Sequence, residues 1–574
     1  MCIIFQTINA QEKDTISLPF FDDFSYGEGK VNSLLWEKSG VNISNSLPIN
    51  PPSIGAATFD ALDADGNFYP SNYGIKYCNG DTLTSKPIDL YYPGDNTVFL
   101  SFFYQAGGLG DAPENTDSLL LDFYDPIDKE WITIKSFAGS NNKQFNQEII
   151  SISQKCYLQK GFKFRFRNLF SLGSSLQPDL VSNCDYWLVD YVKLDCLRSI
   201  ADTVYQDVAL TNCPSINFNN YSSIPYKHYL QKKNEINISY NIFYKNNDVN
   251  KRLLDSINLY FEGEGDNNKL LLGSYNLPSL WDFSESKDFK YTFNSINGNT
   301  ANYKIGVKLV SDVSEQDYYP NNTYYSEKIL SDYYAYDDGT AEAGYGIHGE
   351  GTKGGYVAVK YISLINDNLN GVYLYFNQTY KNKQADYFTL KVWDCLNGIP
   401  NNELYSQENL LIPKDKYGQF VYFKFNNSVA VTDTFFIGWQ KVETEILNIG
   451  FDKSVSSAAN NNYYNINGQW KKSTEKGNIM IRPSIGHIST PIAFELKTKH
   501  DLSVFPNPTT QYIKIFCEEI SYPTKILIYN TIGKQIKSEY IYDSEEEIDV
   551  SDLPNGFYLL QIPEYGISNK FIKK

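Results

Sequence analysis

Two acidic turns bring together metal-type ligands. "DALDADGN" places Asp60, Asp63 and Asp65 on a glycine-bearing turn, and "GDAPENTD" places Asp111, Glu114 and Asp117 on another. Oxygen-only donors on flexible loops suit calcium, which takes about six to eight oxygens. The terminal bidentate glutamate of an EF-hand is missing at the required offset, so two readings stand: a structural calcium site, or two solvated turns. No motif requires any other cofactor.

Nucleophilic catalysis finds little support. A Ser or Cys hydrolase needs a base, usually His, beside the nucleophile. The four histidines, His228, His348, His487 and His500, lie in no recognisable motif and at no metal-site spacing. The eight cysteines, Cys2, Cys78, Cys156, Cys184, Cys196, Cys213, Cys395 and Cys517, form no CxxC pair, which leaves zinc and thioredoxin-like chemistry without a framework. Most read as buried thiols, with Cys184 and Cys196 the one pair placed to bridge neighbouring strands. The glycine-rich "GIHGEGTKGG" lacks the strand-to-helix context and the GK[ST] of a phosphate cradle, and reads as a hairpin tip. Paired carboxylates for glycoside hydrolysis could hide among 67 acidic residues, and spacing alone does not pair them. Sugar faces stack on aromatic rings, so Trp36, Trp131, Trp187, Trp393, Trp439 and Trp470 are the candidates for a glycan surface, core packing being the default for most.

The elements that must position these groups are strands. Tyr 47 and Phe 35 dominate an aromatic content of 16%, Met is only 2, and the periodicities are almost all of period two. In "FKFRFR", Phe162, Phe164 and Phe166 face one way and Lys163, Arg165 and Arg167 the other, as in a half-buried strand. A chain of 574 residues exceeds what one core can organise, so several domains are expected. The net charge of -17 and a pI near 4.8 disfavour nucleic acid or an anionic bilayer as partner of the body. No apolar run has the length of a membrane span. "MCIIFQTINAQEKD" looks like the tail of an export signal, with a disordered start as the alternative.

Strand runs and turn clusters divide the chain into residues 1–15, a partial signal or disordered start; 16–198, a β-sandwich; 199–331, an immunoglobulin- or fibronectin-like spacer; 332–486, a second large sandwich; 487–502, a linker; and 503–574, a compact terminal unit. The fold class is all-β: two jelly-roll-like sandwiches, an immunoglobulin-like spacer and a small immunoglobulin-like terminal domain. In the terminal unit Gly533 and Gly556 sit where turns favour positive φ, and Pro506 and Pro508 suit an entry segment along a sheet edge.

That unit also carries ordered motifs: Pro506-Asn507-Pro508 before a hydrophobic strand, Gly533-Lys534 within "IYNTIGKQI", Leu553-Pro554-Asn555-Gly556 within "IDVSDLPNGFYLLQI", and Lys573-Lys574. Together they resemble the C-terminal sorting domain of cargo of the bacterial type IX secretion system. The resemblance implies a signal peptide, periplasmic transit, recognition of the folded terminal domain by an outer-membrane translocon, and its usual cleavage, often with attachment to surface lipopolysaccharide. "PFFDDFS", "SIGAATFDALDADGNFY" and "DYWLVDYVKLD" are similar to MAM and concanavalin-like jelly-roll modules, which often bind calcium structurally. "DDGTAEAGYGI", "FFIGWQ" and "NIGFDKS" resemble a second sandwich of the same group of secreted proteins. Such modules mostly bind or space. The expectation is a secreted or cell-surface, non-catalytic protein with a glycan or surface protein as ligand. The alternatives are a secreted hydrolase and a structural part of the secretion or gliding apparatus.

Overall fold

The computed structural model describes all residues except 1–14, 28, 64–68, 70–77, 172–184, 264–265, 273–274, 279–280, 290, 296–297, 313–318, 378–384, 456–460, 486–501, 508, 517–522, 531–534, 543–546 and 563–566. Nearly all of the regular secondary structure among the described residues is strand, and the chain divides into two compact units, Met1–Ser489 and Thr490–Lys574.

The first unit contains three pairs of sheets. Residues 20–195 form a seven-stranded sheet facing a five-stranded one. In the first, Trp187–Asp195 is central, paired antiparallel with Phe99–Ala106, Ala56–Phe59 and Phe20–Asp22. In the second, Lys160–Phe170 lies between Cys78–Thr84 and Ser118–Asp125, with Glu130–Ala138 outside. Alternation decides the facing: Phe162, Phe164 and Phe166 are fully buried, and the basic residues between them point outward. Phe164 and Phe20 meet Trp36 edge-on at 5.6 and 5.1 Å, which builds the core from aromatic edges and faces.

Residues 208–330 form sheets of four and five strands, and residues 343–485 two sheets of six. One continuous apolar core runs from the former into the latter. Its junction is made of tyrosines: Tyr221 stacks on Tyr336 at 4.7 Å, and Tyr336 on Tyr361 at 4.8 Å. A short helix, Tyr226–Lys232, buries Tyr226, His228 and Tyr229 beside this stack. It is too short for a helical period to register in the sequence. The second unit pairs a three-stranded with a four-stranded sheet around its own core of Ile513, Ile515, Ile526, Ile528, Leu560 and neighbours.

Cys196 carries a free thiol, and Cys184, its expected partner across neighbouring strands, lies outside the described residues. The glycine-rich segment 346–355 is held from beneath. The Lys441 side chain, almost fully buried, donates to Ile347 O at 3.1 Å and to Thr352 Oγ1 at 2.9 Å. Gly349, Gly351 and Gly354 all adopt positive φ there, as a tight turn demands.

Candidate functional site

In the terminal unit the motif residues act as pins. Asn507 donates Nδ2–H to Lys570 O at 3.0 Å and accepts Ile572 N–H on Oδ1 at 2.9 Å, so one side-chain amide stands in for a strand partner of Ile567–Lys573. Thr509 continues the pairing, its N–H donating to Ile572 O and its carbonyl accepting from Lys574. Leu553 is buried, Pro554 O accepts the Tyr558 hydroxyl at 2.7 Å, and Gly556 pairs with Lys573. Pro506, Asn555 and Lys574 are exposed, whereas Lys573 is buried to 7% and donates to Lys574 O. Pro508, Gly533 and Lys534 lie outside the described residues.

Of the acidic residues singled out by sequence, Asp60 and Asp63 belong to one neighbourhood and Glu114 and Asp117 to another, while Asp65 lies outside the described residues. Asp60 sits against Asp81, whose carboxylate accepts Asp60 N–H at 2.8 Å and the Tyr69 hydroxyl at 2.7 Å. Burial and the Asp81 charge raise Asp60, and burial pushes Asp81 up to about 6.

The second turn is a closer gathering. Glu114, Asp117 and Asp185 each direct a carboxylate oxygen to within 4.8 Å of the others. Asp111 contributes main chain: it forms a parallel bridge with Asp185, and its carbonyl accepts Tyr186 N–H at 3.2 Å. Asp117 Oδ2 accepts Glu114 N–H and the Ser171 hydroxyl, both at 3.0 Å. Its Oδ1, like Asp185 Oδ2, is buried without a hydrogen-bond partner. Burial, with Glu114 and Asp117 alongside, pushes the Asp185 carboxyl up to about 10. Asp185 escaped the sequence reading because it opens an apolar strand, far along the chain from the turn it joins.

The third feature is the outer face of the sheet containing Lys160–Phe170. Register places Trp131, Tyr124 and Lys163 side by side in one cross-strand row, and Thr133, Asp122, Arg165 and Thr84 in the next. The Arg165 guanidinium lies 4.2 Å from the Trp131 ring centroid, with Lys163 Nζ 5.1 Å from Tyr124 and 5.5 Å from Trp131. Asp122, 1% exposed, accepts Nε–H from both Arg165 and Arg167, at 2.8 and 2.7 Å. Burial opposes its charge, but Arg167, Arg165 and Thr133 hold its carboxyl below the ordinary range. Trp36, Trp187, Trp393 and Trp439 are buried; Trp131 and Trp470 remain partly open. His228 is a buried structural histidine, its Nδ1 2.6 Å from Tyr334 Oη and its Nε2 3.1 Å from Asp367 Oδ2.

Fold and sites define an all-β protein of stacked sandwiches with a separate terminal sandwich. Residues 503–574 match the family described as the secretion system C-terminal sorting domain. The chain is thus type IX secretion cargo, exported to the cell surface or the extracellular space. Among the described residues no helix is long and apolar enough to cross a membrane. No curated protein matches the chain.

Solved structures similar to parts of it include three carbohydrate-active proteins. A GH2 beta-galacturonidase from Eisenbergiella tayi is 9% identical over 55% of this chain and 43% of that one, at a TM-score of 0.23. A Bacteroides uniformis beta-glucuronidase is 12% identical over 53% and 34%, at 0.22. The tandem CBM22 domains of Paenibacillus barcinonensis Xyn10C are 8% identical over 56% and 99%, at 0.19. The chain spans less than half the length of the two glycosidases, and likeness at this level carries no argument about activity.

Proposed function

We propose that the mature protein is a non-catalytic surface binding protein whose first sandwich engages an acidic, carboxylate-bearing polysaccharide through the outer face of the Lys160–Phe170 sheet. The observation that carries this reading is the Arg165 guanidinium seated 4.2 Å over Trp131. On a chain of net charge -17, this face gathers three cations, Lys163, Arg165 and Arg167, around two aromatic rings. The carboxylates against them are Asp122 and Glu37. Asp122 takes Nε of both arginines, which fixes their planes and leaves the outer nitrogens of Arg165 without a protein partner among the described residues. A planar guanidinium of this kind suits bidentate pairing with a sugar carboxylate, and the edge of the aromatic row offers a surface for the ring.

The test is native electrophoresis of the full chain in gels containing polygalacturonate, alginate or neutral dextran. Retardation by the acidic polymers alone is expected. Salt should relieve it, and the double variant R165A/W131A should lose it while keeping the wild-type circular dichroism. Equal mobility in all three gels, or retardation unchanged in the double variant, would refute the reading. Release of new reducing ends during incubation would redirect it to a hydrolase.

A further inference from the structure

We propose that Glu114, Asp117 and Asp185 form a divalent-cation site, filled by calcium, that ties the loop between Phe99–Ala106 and Ser118–Asp125 to the start of Trp187–Asp195. Three carboxylates meet within 4.8 Å, and among the described residues none of them pairs with a Lys or Arg. Two of these side chains are removed from water, Asp117 at 0% and Asp185 at 2% exposure. Each of these two keeps one oxygen that accepts no hydrogen bond: Oδ1 of Asp117 and Oδ2 of Asp185. Buried anionic oxygens without partners are costly, and a cation between them removes that cost.

The surroundings are arranged for this. Asp117 Oδ2 is occupied by Glu114 N–H and Ser171 Oγ, which orients the carboxylate and leaves Oδ1 without a hydrogen-bond partner. Ser171 Oγ also donates to Glu114 Oε2 at 3.3 Å. The loop is closed by Asp117 N–H to Glu114 O and by Gly139 N–H to Asp117 O, both at 2.9 Å. A Cβ on Gly139 would come within 1.9 Å of Glu114 O, so only glycine allows this closure. The donors are all hard oxygens, with neither His nor Cys, which argues against zinc. Carboxylates from a loop and a strand, one of them exposed, suit the irregular shell of calcium better than the strict octahedron of magnesium. The same loop carries Leu109, whose carbonyl accepts the Lys453 ammonium from the third sandwich, so the cation also steadies a contact within the first unit.

The competing occupant is a proton shared between Asp117 and Asp185. Calorimetric titration of chelator-stripped full chain with calcium chloride decides between them, paired with melting curves across calcium and magnesium. One saturable site is expected, with a melting temperature that climbs with free calcium and far less with magnesium. D185N should lose both responses. E114Q changes an exposed ligand, folds irrespective of the buried pair, and should weaken the affinity at least tenfold. No heat and no thermal shift in the wild-type chain would overturn the site in favour of the proton. A calcium response that survives in both variants would place the ion elsewhere and overturn it equally. An equal response to magnesium would overturn the assignment to calcium.

Discussion

Asp22 and Asp23 stand side by side in the first core, 2% and 0% exposed, beside fully buried Asp190, whose carboxyl is raised by its burial and then by the charges of both. Asp22 is compensated by Trp36 Nε1–H at 2.6 Å, Phe24 N–H and the Tyr26 hydroxyl. Asp23 accepts twice from Ser25 but keeps Oδ2 unpartnered. Burial pushes Asp22 up to about 6 and Asp23 up to about 7. With folded values above the unfolded ones near 3.8, the folded chain binds more protons between those limits. The stability these groups contribute is full below about 3.8 and is lost as pH rises through about 6 to 7. The isosteric D23N should therefore be more stable than the wild-type chain at pH 8, by about 4 kcal/mol, and nearly equal to it at pH 4. Urea melts at the two pH values check this, and equal differences at both would refute it. Alternation along "FKFRFR" was enough to assign Phe164 to the core and Arg165 to the surface, because a strand's facing is a local property. Asp122 beneath the arginines and Asp185 beside Asp117 were not legible, since each pairing depends on which strands become neighbours.

Between elements, the abundance of tyrosine acquires a structural reason. At the junction of the second and third sandwiches the rings extend one apolar core, while the hydroxyls serve backbone groups near the end of Tyr356–Ile362. Tyr221 Oη donates to Ile362 O at 3.0 Å and accepts Ile362 N–H at 2.9 Å. Tyr334 Oη accepts Leu364 N–H at 2.8 Å, and Tyr336 Oη donates to Lys360 O at 3.0 Å. Phenylalanine would fill the same space and leave these groups unpaired. Y221F should cost about 1–3 kcal/mol in equilibrium unfolding, with the stacking on Tyr336 retained. A loss under about 0.5 kcal/mol would mean that solvent replaces the hydroxyl at Ile362. The helix Tyr226–Lys232 belongs to the same junction: Lys227 and His228 both reach Asp367, at 2.6 and 3.1 Å. Period-two patterning marked strands in both sandwiches, but it could not reveal that their cores fuse, because side-chain alternation is silent about what lies beyond a sandwich's end.

At the scale of the whole molecule, the sorting domain and the proposed binding face belong to different units, and this makes export and binding separable by experiment. The sorting unit has its own core, in which Ile513, Ile526, Ile528 and Leu560 are fully buried, and its termini are sewn together by Asn507 and Thr509. The described residues of that core run from Leu502 to Phe571. Deleting residues 503–574 should leave the melting temperature and the calcium response of the first unit unchanged. In the native host the same deletion should strand the protein in the periplasm while the full chain reaches the surface or the medium. Substituting Asn507 by alanine is the finer version: it removes both hydrogen bonds to the last strand and nothing from the body, so it should reduce surface delivery without altering polysaccharide retardation. Fractionation of cells carrying the three forms measures this directly. Surface delivery of the truncated chain would detach export from the terminal sandwich. A body that melts earlier without it would mean that the two units stabilise each other, and would send the division of labour back to the junction between them.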